Sequence, residues 1–327
     1  MKTWQKIKND PKLMKQYLVR EKVVDVVRSF FKDQGFHEVS TPILVPVPSI
    51  EPNLEVFQTE LRTSKGVKRD GYLIMSPEFS IKKLLAAGIG NCFEITKCFR
   101  NEEEVSPLHN PEFSMLEWYR VGANYRNVME DFENLFCEII KKVSPGADLS
   151  KWEYQGQIYD LNCPWPRISF EEAFAKYAGR RIEDIKDEDF YQIFFNEVEP
   201  MLLKSKKPVI LYDYPISQAS LAKKKESDPR FAERFEVFLA GVELGNCFSE
   251  LTDAAEQKKR FETDLAERKS QGKTDYPIDE DLIEALRAGL PTVSGIAVGV
   301  DRIIMLAANV SSISETLFFP GNELFNL

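Results

Sequence analysis

The stretch that most constrains the fold runs from residue 99 to residue 119 and predicts two strands joined by a loop. The first strand ends in Phe99-Arg100-Asn101-Glu102, and the second contains Phe113-Ser114-Met115-Leu116-Glu117-Trp118-Tyr119. A guanidinium such as that of Arg100 pairs bidentately with phosphate or carboxylate, and an aromatic ring such as Phe113 offers a flat apolar face to adenine. Residues 99–102 alone would also suit a surface strand. Together with the second strand they predict a nucleotide site on a sheet.

A second stretch, from Ser294 to Leu306, predicts an apolar strand, a turn at Gly299 and a helix that opens at Asp301. Small residues let a backbone approach a ligand closely, and Asp301 can satisfy free amide groups at the start of the helix. Arg302 then falls in the first helical turn, where it can reach a triphosphate. The alternative is a buried strand followed by a solvated arginine.

Near the start, Asp10-Pro11 predicts a helix cap with proline at the first helical position. Helical periodicity continues to a stop at Gly35, through Leu13, Tyr17, Val24, Val27 and Phe31. Residues 36–44 then predict a β-branched strand interrupted by Pro42.

Taken in order, these stretches resemble motifs 1, 2 and 3 of the class II aminoacyl-tRNA synthetases, in the branch specific for lysine. The resemblance implies an α+β fold, with an antiparallel sheet flanked by helices, and implies ATP and Mg²⁺ as cofactors. It also implies a homodimer, because motif 1 forms the dimer interface in that family. We expect one catalytic domain over residues 1–327, with a helical insertion at about 169–206 that opens with the capping box Ser169 to Glu172.

Residues 235–251 predict two strands that turn at Gly241, following a charge-rich segment, 223–234, that reads as a solvated loop. Unpaired buried carboxylates are costly, so the acidic residues of this hairpin need partners. Glu236 and Glu243 can hold Mg²⁺ against ATP phosphates, since Mg²⁺ prefers a few carboxylates with phosphate and water. The alternative is that they pair with surface lysines. Glu236 and Glu243 are an odd number of residues apart, so on one regular strand their side chains would point to opposite faces. A turn lies between them, so this spacing does not exclude a shared site.

The lysine-branch resemblance implies a substrate pocket with carboxylates at one end. Glu117, Glu250 and the hydroxyl of Tyr119 would neutralise the side-chain ammonium, and Ser76-Pro77-Glu78 would bind the other amine. Arg100 would align the substrate carboxylate, while Arg302 and Mg²⁺ would draw charge toward pyrophosphate, so no nucleophilic side chain is required. The resemblance adds three residues at the substrate, Asn246, Phe248 and Ala297. At ATP it adds Asn101, Glu102, His109, Asn110, Glu243, Leu244 and Gly299.

Two features depart from lysyl-tRNA synthetases. The motif 1 helix begins about ten residues from Met1, so we expect no anticodon-binding domain, and Ala297 stands where those enzymes have glycine. Two further stretches are residues 215–222, PISQASLA, and Met75-Ser76-Pro77-Glu78. Together with the two departures, they make the chain similar to the elongation factor P (R)-β-lysine ligases from about Lys12 to Phe319.

That similarity implies activation of (R)-β-lysine, or lysine, as an adenylate, and its transfer to a lysine side chain of elongation factor P. One alternative is a truncated lysyl-tRNA synthetase-like enzyme that charges tRNA. Another is a non-catalytic regulatory paralogue that binds an amino acid or an adenylate.

Composition agrees with these expectations. A net charge of −9 gives no basic footprint for RNA, so we expect a protein acceptor rather than tRNA. The sequence contains no apolar run long enough to span a bilayer, and its start lacks the apolar core of a secretion signal, which predicts a cytoplasmic protein. Five cysteines without a CxxC pair and only two histidines argue against a zinc site.

Overall fold

A computed structural model describes residues 2–185, 187–219 and 221–326, so Ser220 of the PISQASLA segment and Lys186 of the insertion lie outside it. Its strands are β1 His37–Glu38, β2 Leu44–Val45, β3 Phe57–Arg62, β4 Lys68–Leu73, β5 Cys92–Phe99, β6 Glu112–Val121, β7 Trp152–Tyr154, β8 Gln157–Tyr159, β9 Arg167–Ser169, β10 Val209–Pro215, β11 Phe231–Leu239, β12 Val242–Ser249 and β13 Val293–Gly299. Its α-helices are α1 Thr3–Asn9, α2 Met14–Tyr17, α3 Val19–Asp33, α4 Glu78–Ala86, α5 Tyr125–Val143, α6 Phe170–Ala173, α7 Asp187–Ile193, α8 Glu199–Leu203, α9 Ala254–Ser270, α10 Glu280–Gly289, α11 Val300–Ala307 and α12 Gly321–Phe325.

Eight of these strands form one sheet, in the order β1-β5-β6-β13-β12-β11-β10-β9. Its inner neighbours are antiparallel, while β1 runs parallel to β5 and β9 runs parallel to β10 at the two edges. An antiparallel sheet flanked by helices is the predicted fold class, which is confirmed. Among the described residues, no helix is both long enough and apolar enough to cross a membrane.

The sheet has two different faces because side chains alternate along each strand. On β6, Leu116 and Trp118 join the core formed with α3, α5 and α11, where the Phe31 and Trp118 ring centroids are 5.0 Å apart. Tyr119, which has the opposite parity, packs into a second cluster with α4 and α10. The functional groups of β6 therefore lie on the face that α3 and α5 do not cover.

The N-terminal helix is more broken than its periodicity predicts. The Asp10 side chain accepts from the amide of Lys12, but it caps only a short 3-10 turn, and α2 and α3 are separate helices on either side of Leu18. In α3 the buried residues include Val23, whereas the predicted Val24 is half-buried. The strand predicted over 36–44 is divided into β1 and the first residue of β2, Leu44, and Pro42, which has no amide to donate to a sheet, lies between them.

The hairpin of β11 and β12 turns at Gly241 as predicted. Ala240 and Gly241 have φ values of 52° and 82°, and two successive positive φ angles match the right-handed twist of a hairpin. The register passes from Val237 opposite Gly245 to Phe238 opposite Glu243, so Leu244 is an extra residue that forms a β-bulge. Beyond the bulge, the side chains of β12 that point to a given face of the sheet are therefore shifted by one residue.

The same hairpin corrects the prediction of a solvated loop over residues 223–234. Strand β11 already begins at Phe231, and the Arg234 side chain is only 15% exposed.

Helices occupy the predicted insertion. Ser169 and Glu172 form the capping box that opens α6, and two π-helical turns, Phe174–Ala178 and Phe194–Val198, interrupt the helices that follow. Aromatic residues of these helices pack against β10, forming a core of their own.

Candidate active site

A cavity of about 340 Å³ opens on the sheet face opposite α3 and α5. Its walls come mainly from β6, the β11–β12 hairpin, β13 and the loop between β5 and β6. The volume lies at the lower end of the range for small-molecule sites.

One end of the cavity is built around Glu117 of β6, which is 1% exposed. Ser76 Oγ donates to Glu117 Oε1 at 2.5 Å, and the Tyr119 hydroxyl donates to Glu117 Oε2 at 2.9 Å. Burial, with the nearby Glu78 carboxylate, raises the pKa of Glu117 to about 8 although both hydroxyls oppose the change. When Glu117 is ionised, none of the described residues pairs with it as a cation, so a positively charged ligand can take that place.

Glycine at position 295 is what lets the Tyr119 ring lie beside Glu117. Gly295 is the register partner of Tyr119, and a Cβ at Gly295 would lie 2.2 Å from Cε1 of that ring and 2.9 Å from Oε1 of Glu250. Such contacts are too close for any residue with a Cβ, which explains why glycine occupies position 295 of this strand.

Glu250 differs from the prediction, because a lysine of the chain already pairs with it. The ammonium of Lys82 lies 2.6 Å from Glu250 Oε2 and 2.7 Å from Glu78 Oε1. Burial raises the pKa of Glu250 to about 8, with Lys82 opposing the rise and Glu78 adding to it. Sequence reasoning missed Lys82, although its i,i+4 spacing from Glu78 on a helix was a usable signal.

The other end of the cavity contains Arg302, which lies in the first turn of α11 as predicted. It donates from Nη1 to the carbonyl of Glu243 at 2.8 Å, and from Nη2 to Nε2 of His109 at 3.0 Å. Because a guanidinium only donates, His109 Nε2 is the acceptor and its Nδ1 carries the proton, 2.9 Å from Ser106 Oγ. Burial and the Arg302 charge lower the pKa of His109, which agrees with a neutral ring.

Arg100 follows the end of β5, with its guanidinium 5.1 Å from the centroid of the Phe113 ring. The Phe113 face covered by Arg100 is therefore not available to adenine. Nη1 of Arg100 lies 3.6 Å from Glu103, while its Nε is buried and has no hydrogen-bond partner in the described part of the chain. A buried donor without an acceptor is costly, and a phosphate or carboxylate oxygen would satisfy it.

Both predicted metal ligands, Glu236 and Glu243, line the cavity. Glu236 pairs with Arg234 at 2.5 Å, and Arg234 donates to Asn246 Oδ1 at 3.1 Å. Burial and the Glu236 charge raise the pKa of Glu243 to about 7, although the charges of Arg302, Arg234 and Arg100 oppose the change. No group of three or more ligating side chains occurs among the described residues. Two carboxylates fit Mg²⁺, which takes its remaining ligands from phosphate and water.

The structure brings most of the predicted site residues to this one cavity. Those that line it are Ser76, Glu78, Arg100, His109, Asn110, Phe113, Glu117, Tyr119, Glu236, Glu243, Leu244, Asn246, Phe248, Glu250, Ala297, Gly299 and Arg302.

Three predicted residues are outside that lining: Pro77, Asn101 and Glu102. Pro77 precedes α4 and is buried, Asn101 bridges to the backbone of Glu55, and Glu102 has a φ of 57° and an exposed side chain. Glu51, Glu103 and Arg234 line the cavity without having been predicted.

The two ends are separated along β13. Gly295 lies beside Tyr119 and Glu250, whereas Gly299 lies beside Arg302. Four residues of a strand span about 13 Å. The cavity thus has acidic groups at one end and guanidinium groups at the other, which suits an elongated ligand with ammonium groups and a phosphate.

Comparisons with known proteins agree with this arrangement. Residues 2–323 match the model of the family described as tRNA synthetases class II (D, K and N). The chain is 39% identical over 324 residues to a Salmonella gallinarum protein named elongation factor P (R)-β-lysine ligase, covering 97% of each chain. It is 40% identical over 313 residues to the Proteus mirabilis protein of the same name, covering 93% of this chain and 94% of the relative. The chain therefore belongs to the class II tRNA synthetase family (D, K and N).

Proposed function

We propose that this chain is an ATP-dependent, AMP-forming ligase that activates (R)-β-lysine or lysine and transfers it to a lysine side chain of elongation factor P. The observation that carries the proposal is the division of one cavity between Glu117 with its hydroxyl donors and the guanidinium groups of Arg100 and Arg302. The two relatives named for this reaction, at 39% and 40% identity, support the choice of substrate and acceptor.

The reaction needs a bound carboxylate to attack the α-phosphorus of ATP, with pyrophosphate leaving, and then an acceptor amine to displace AMP. The amine end would hold the diamine through Glu117, and Arg100 would neutralise the carboxylate and phosphate as they approach. Arg302, fixed by the Glu243 carbonyl and by His109, would stabilise charge on the phosphates. Mg²⁺, when held by Glu236 and Glu243, would offset phosphate charge.

Charge favours a protein acceptor over tRNA in this proposal. The chain has a net charge of −9, and nucleic-acid binding usually depends on a basic surface. Activity is favoured over a purely regulatory role because Arg100 and Arg302 both line the cavity, and a sensor of amino acids does not require two such residues.

We further propose a homodimer formed through the N-terminal helices and the C-terminal segment. Thr3 donates to Glu323, and Tyr17 stacks on Phe318 with ring centroids 5.2 Å apart, so these segments pack together. Trp4, Leu18 and Phe319 beside them are 51%, 43% and 63% exposed. Large exposed apolar patches commonly mark protein interfaces. Light scattering of the purified protein tests the stoichiometry.

The direct test is ATP–pyrophosphate exchange with (R)-β-lysine, α-lysine and norleucine, whose side chain is uncharged. Transfer of the labelled amino acid to elongation factor P or to tRNA is then measured. We expect exchange that requires a diamine and Mg²⁺, and transfer to the protein. Arg302→Ala should lower exchange at least ~100-fold, the scale of losing one charged transition-state donor. Arg180→Ala, which removes a surface arginine paired with Glu197 and lies outside the N-terminal helices, is the matched control. No exchange with any lysine isomer in folded protein would refute the proposal.

A further inference from the structure

Lys82 is a buried cation at the acidic end of the cavity. It belongs to α4, its side chain is 2% exposed, and its ammonium lies between Glu78 Oε1 and Glu250 Oε2. In the described part of the chain, neither of those oxygens has a hydrogen-bond donor of good geometry. Lys82 is therefore the compensating cation for both carboxylates.

The balance of charge at this end of the cavity follows from these contacts. Glu78, Glu117 and Glu250 are carboxylates, and Lys82 is the ammonium enclosed among them. With the diamine bound and all four groups ionised, the cluster has a net charge of −2; without the ligand, burial raises the pKa values of Glu117 and Glu250 to about 8, so both mostly carry protons at neutral pH. Tyr119, the other titratable group facing it from β6, stays neutral because burial raises the pKa of its hydroxyl far above neutrality. Glu51, which also lines the cavity, has its pKa raised to about 7 by burial and by the Glu78 carboxylate.

A ligand with two ammonium groups neutralises a cluster of charge −2, whereas a ligand with one leaves a buried carboxylate uncompensated. Uncompensated buried charge is strongly unfavourable. The cluster therefore selects for the number of positive charges on the amino acid, in addition to its shape.

We propose that Lys82 is a positioning and specificity-determining residue, which holds Glu78 and Glu250 in place and sets the charge of the amine end so that it accepts a diamine. This inference rests on the proposed function, because it concerns the substrate of that site. Lys82 touches the carboxylates rather than the reacting atoms. A lysine with a purely structural role would affect all substrates alike, which separates the two possibilities.

The test is Lys82→Met, which keeps most of the side-chain volume and removes the charge. Without Lys82, the two neighbouring carboxylates lose their compensating cation and together hold one proton more than in the wild type near neutral pH, and that proton must leave when the diamine binds. We expect KM for the diamine to rise at least ~10-fold at pH 7, with changes below about 3-fold in kcat and in KM for ATP. Between pH 6.5 and 8.5, log KM should fall more steeply with pH than in the wild type.

Lys83→Met is the matched control, because Lys83 is the next residue of α4 and pairs with Asp279 away from the cavity. It should leave KM for the diamine and its pH profile unchanged.

A second variant tests the charge directly. Lys82→Met with Glu78→Gln returns the cluster to −2, so it should bring the pH slope back toward that of the wild type, and it keeps the test available if the single variant does not fold. Calorimetric binding of the diamine and thermal unfolding should accompany the kinetics. A Lys82→Met enzyme whose KM rises equally for ATP and for the diamine, or whose pH slope equals that of the wild type, would overturn the inference. A wild-type protein that neither binds nor activates any diamine would instead refute the proposed function.

Discussion

At the scale of single residues, the proposed function makes the choice of amino acid depend on a few groups at the acidic end of the cavity. Glu117 is held by two hydroxyl donors and pairs with no cation among the described residues, while Glu250 shares Lys82 with Glu78. We therefore now assign the main recognition of the incoming ammonium to Glu117, rather than equally to Glu117 and Glu250.

Glu117→Gln tests this assignment because it keeps the shape and removes the charge. Diamine binding should weaken by roughly 2 to 4 kcal/mol, the cost of removing one member of a desolvated charge pair, while ATP affinity should barely change. Calorimetry with each ligand measures both effects. Glu112→Gln, on an exposed position of the same strand, is the control. A variant that loses ATP and keeps the diamine would show that Glu117 serves the nucleotide.

Ala297 is the second residue whose effect can be predicted. It is half-buried, lines the cavity and is the register partner of Glu117. Its methyl group should exclude the position of an α-amine and tolerate an amine one carbon further along. Ala297→Gly should therefore improve use of α-lysine relative to β-lysine by about 1 to 3 kcal/mol, the usual value of one methylene-sized change. The ratio of kcat/KM for the two isomers measures it, and an unchanged ratio would mean that Ala297 does not contact the substrate.

At the scale of elements, the local sequence predicts what local physics determines. The cap of α6 and the turn at Gly241 each depend on a few neighbouring residues, and the structure has both. Helix α11 begins at Val300, and the prediction that Asp301 caps it is wrong, because the Asp301 carboxylate accepts from the Ser114 amide at 2.7 Å and from Arg20. The break of the N-terminal helix at Leu18 and the β-bulge at Leu244 were not predicted. The bulge depends on how β12 pairs with β11, which the local pattern of apolar and polar residues does not contain.

The same distinction applies to the site. Residues on regular strands were placed in the cavity correctly, whereas Asn101 and Glu102 were not, because the loop after β5 turns through a positive φ at Glu102. The pair of Lys82 with Glu78 has a local signal in its i,i+4 spacing, whereas the pair of Lys82 with Glu250, the residue after β12, requires knowledge of tertiary structure.

Gly295→Ala tests how closely β13 and β6 must pack. The new Cβ would overlap the Tyr119 ring at 2.2 Å, and overpacking of this kind typically costs about 1 to 3 kcal/mol in the free energy of unfolding. Diamine binding should be lost with it, because the ring would shift away from Glu117. Denaturant unfolding checks the stability, and Tyr119→Ala in the same background should recover much of it. Equal destabilisation in both backgrounds would exclude this contact as the cause.

At the scale of the whole molecule, the acidic cavity should make stability depend on pH. The pKa values of Glu117 and Glu250 are raised to about 8, and that of Glu243 to about 7, all chiefly by burial. A carboxyl group whose pKa is higher in the folded state contributes stability that is complete below its unfolded pKa and is lost as the pH rises through the folded value. The lowered pKa of His109 acts in the opposite direction at lower pH.

We therefore expect Tm of the ligand-free protein to fall between pH 6.5 and 8.5, and added diamine to recover it, since the ligand supplies the missing positive charge. Thermal unfolding with and without the diamine measures both effects, and Glu117→Gln should reduce the slope. A Tm that rises over this interval would contradict the assignment of buried, protonated carboxyl groups.

The β-bulge at Leu244 has a consequence for how such an enzyme can change. It lets one strand, β12, present Glu243 at the phosphate end and Asn246 toward the amino acid on the same face of the sheet. A regular strand would turn one of the two residues toward the core. The extra residue thus divides the strand into two segments. In the proposed function, substitutions beyond it can alter the choice of amino acid without affecting the binding of ATP.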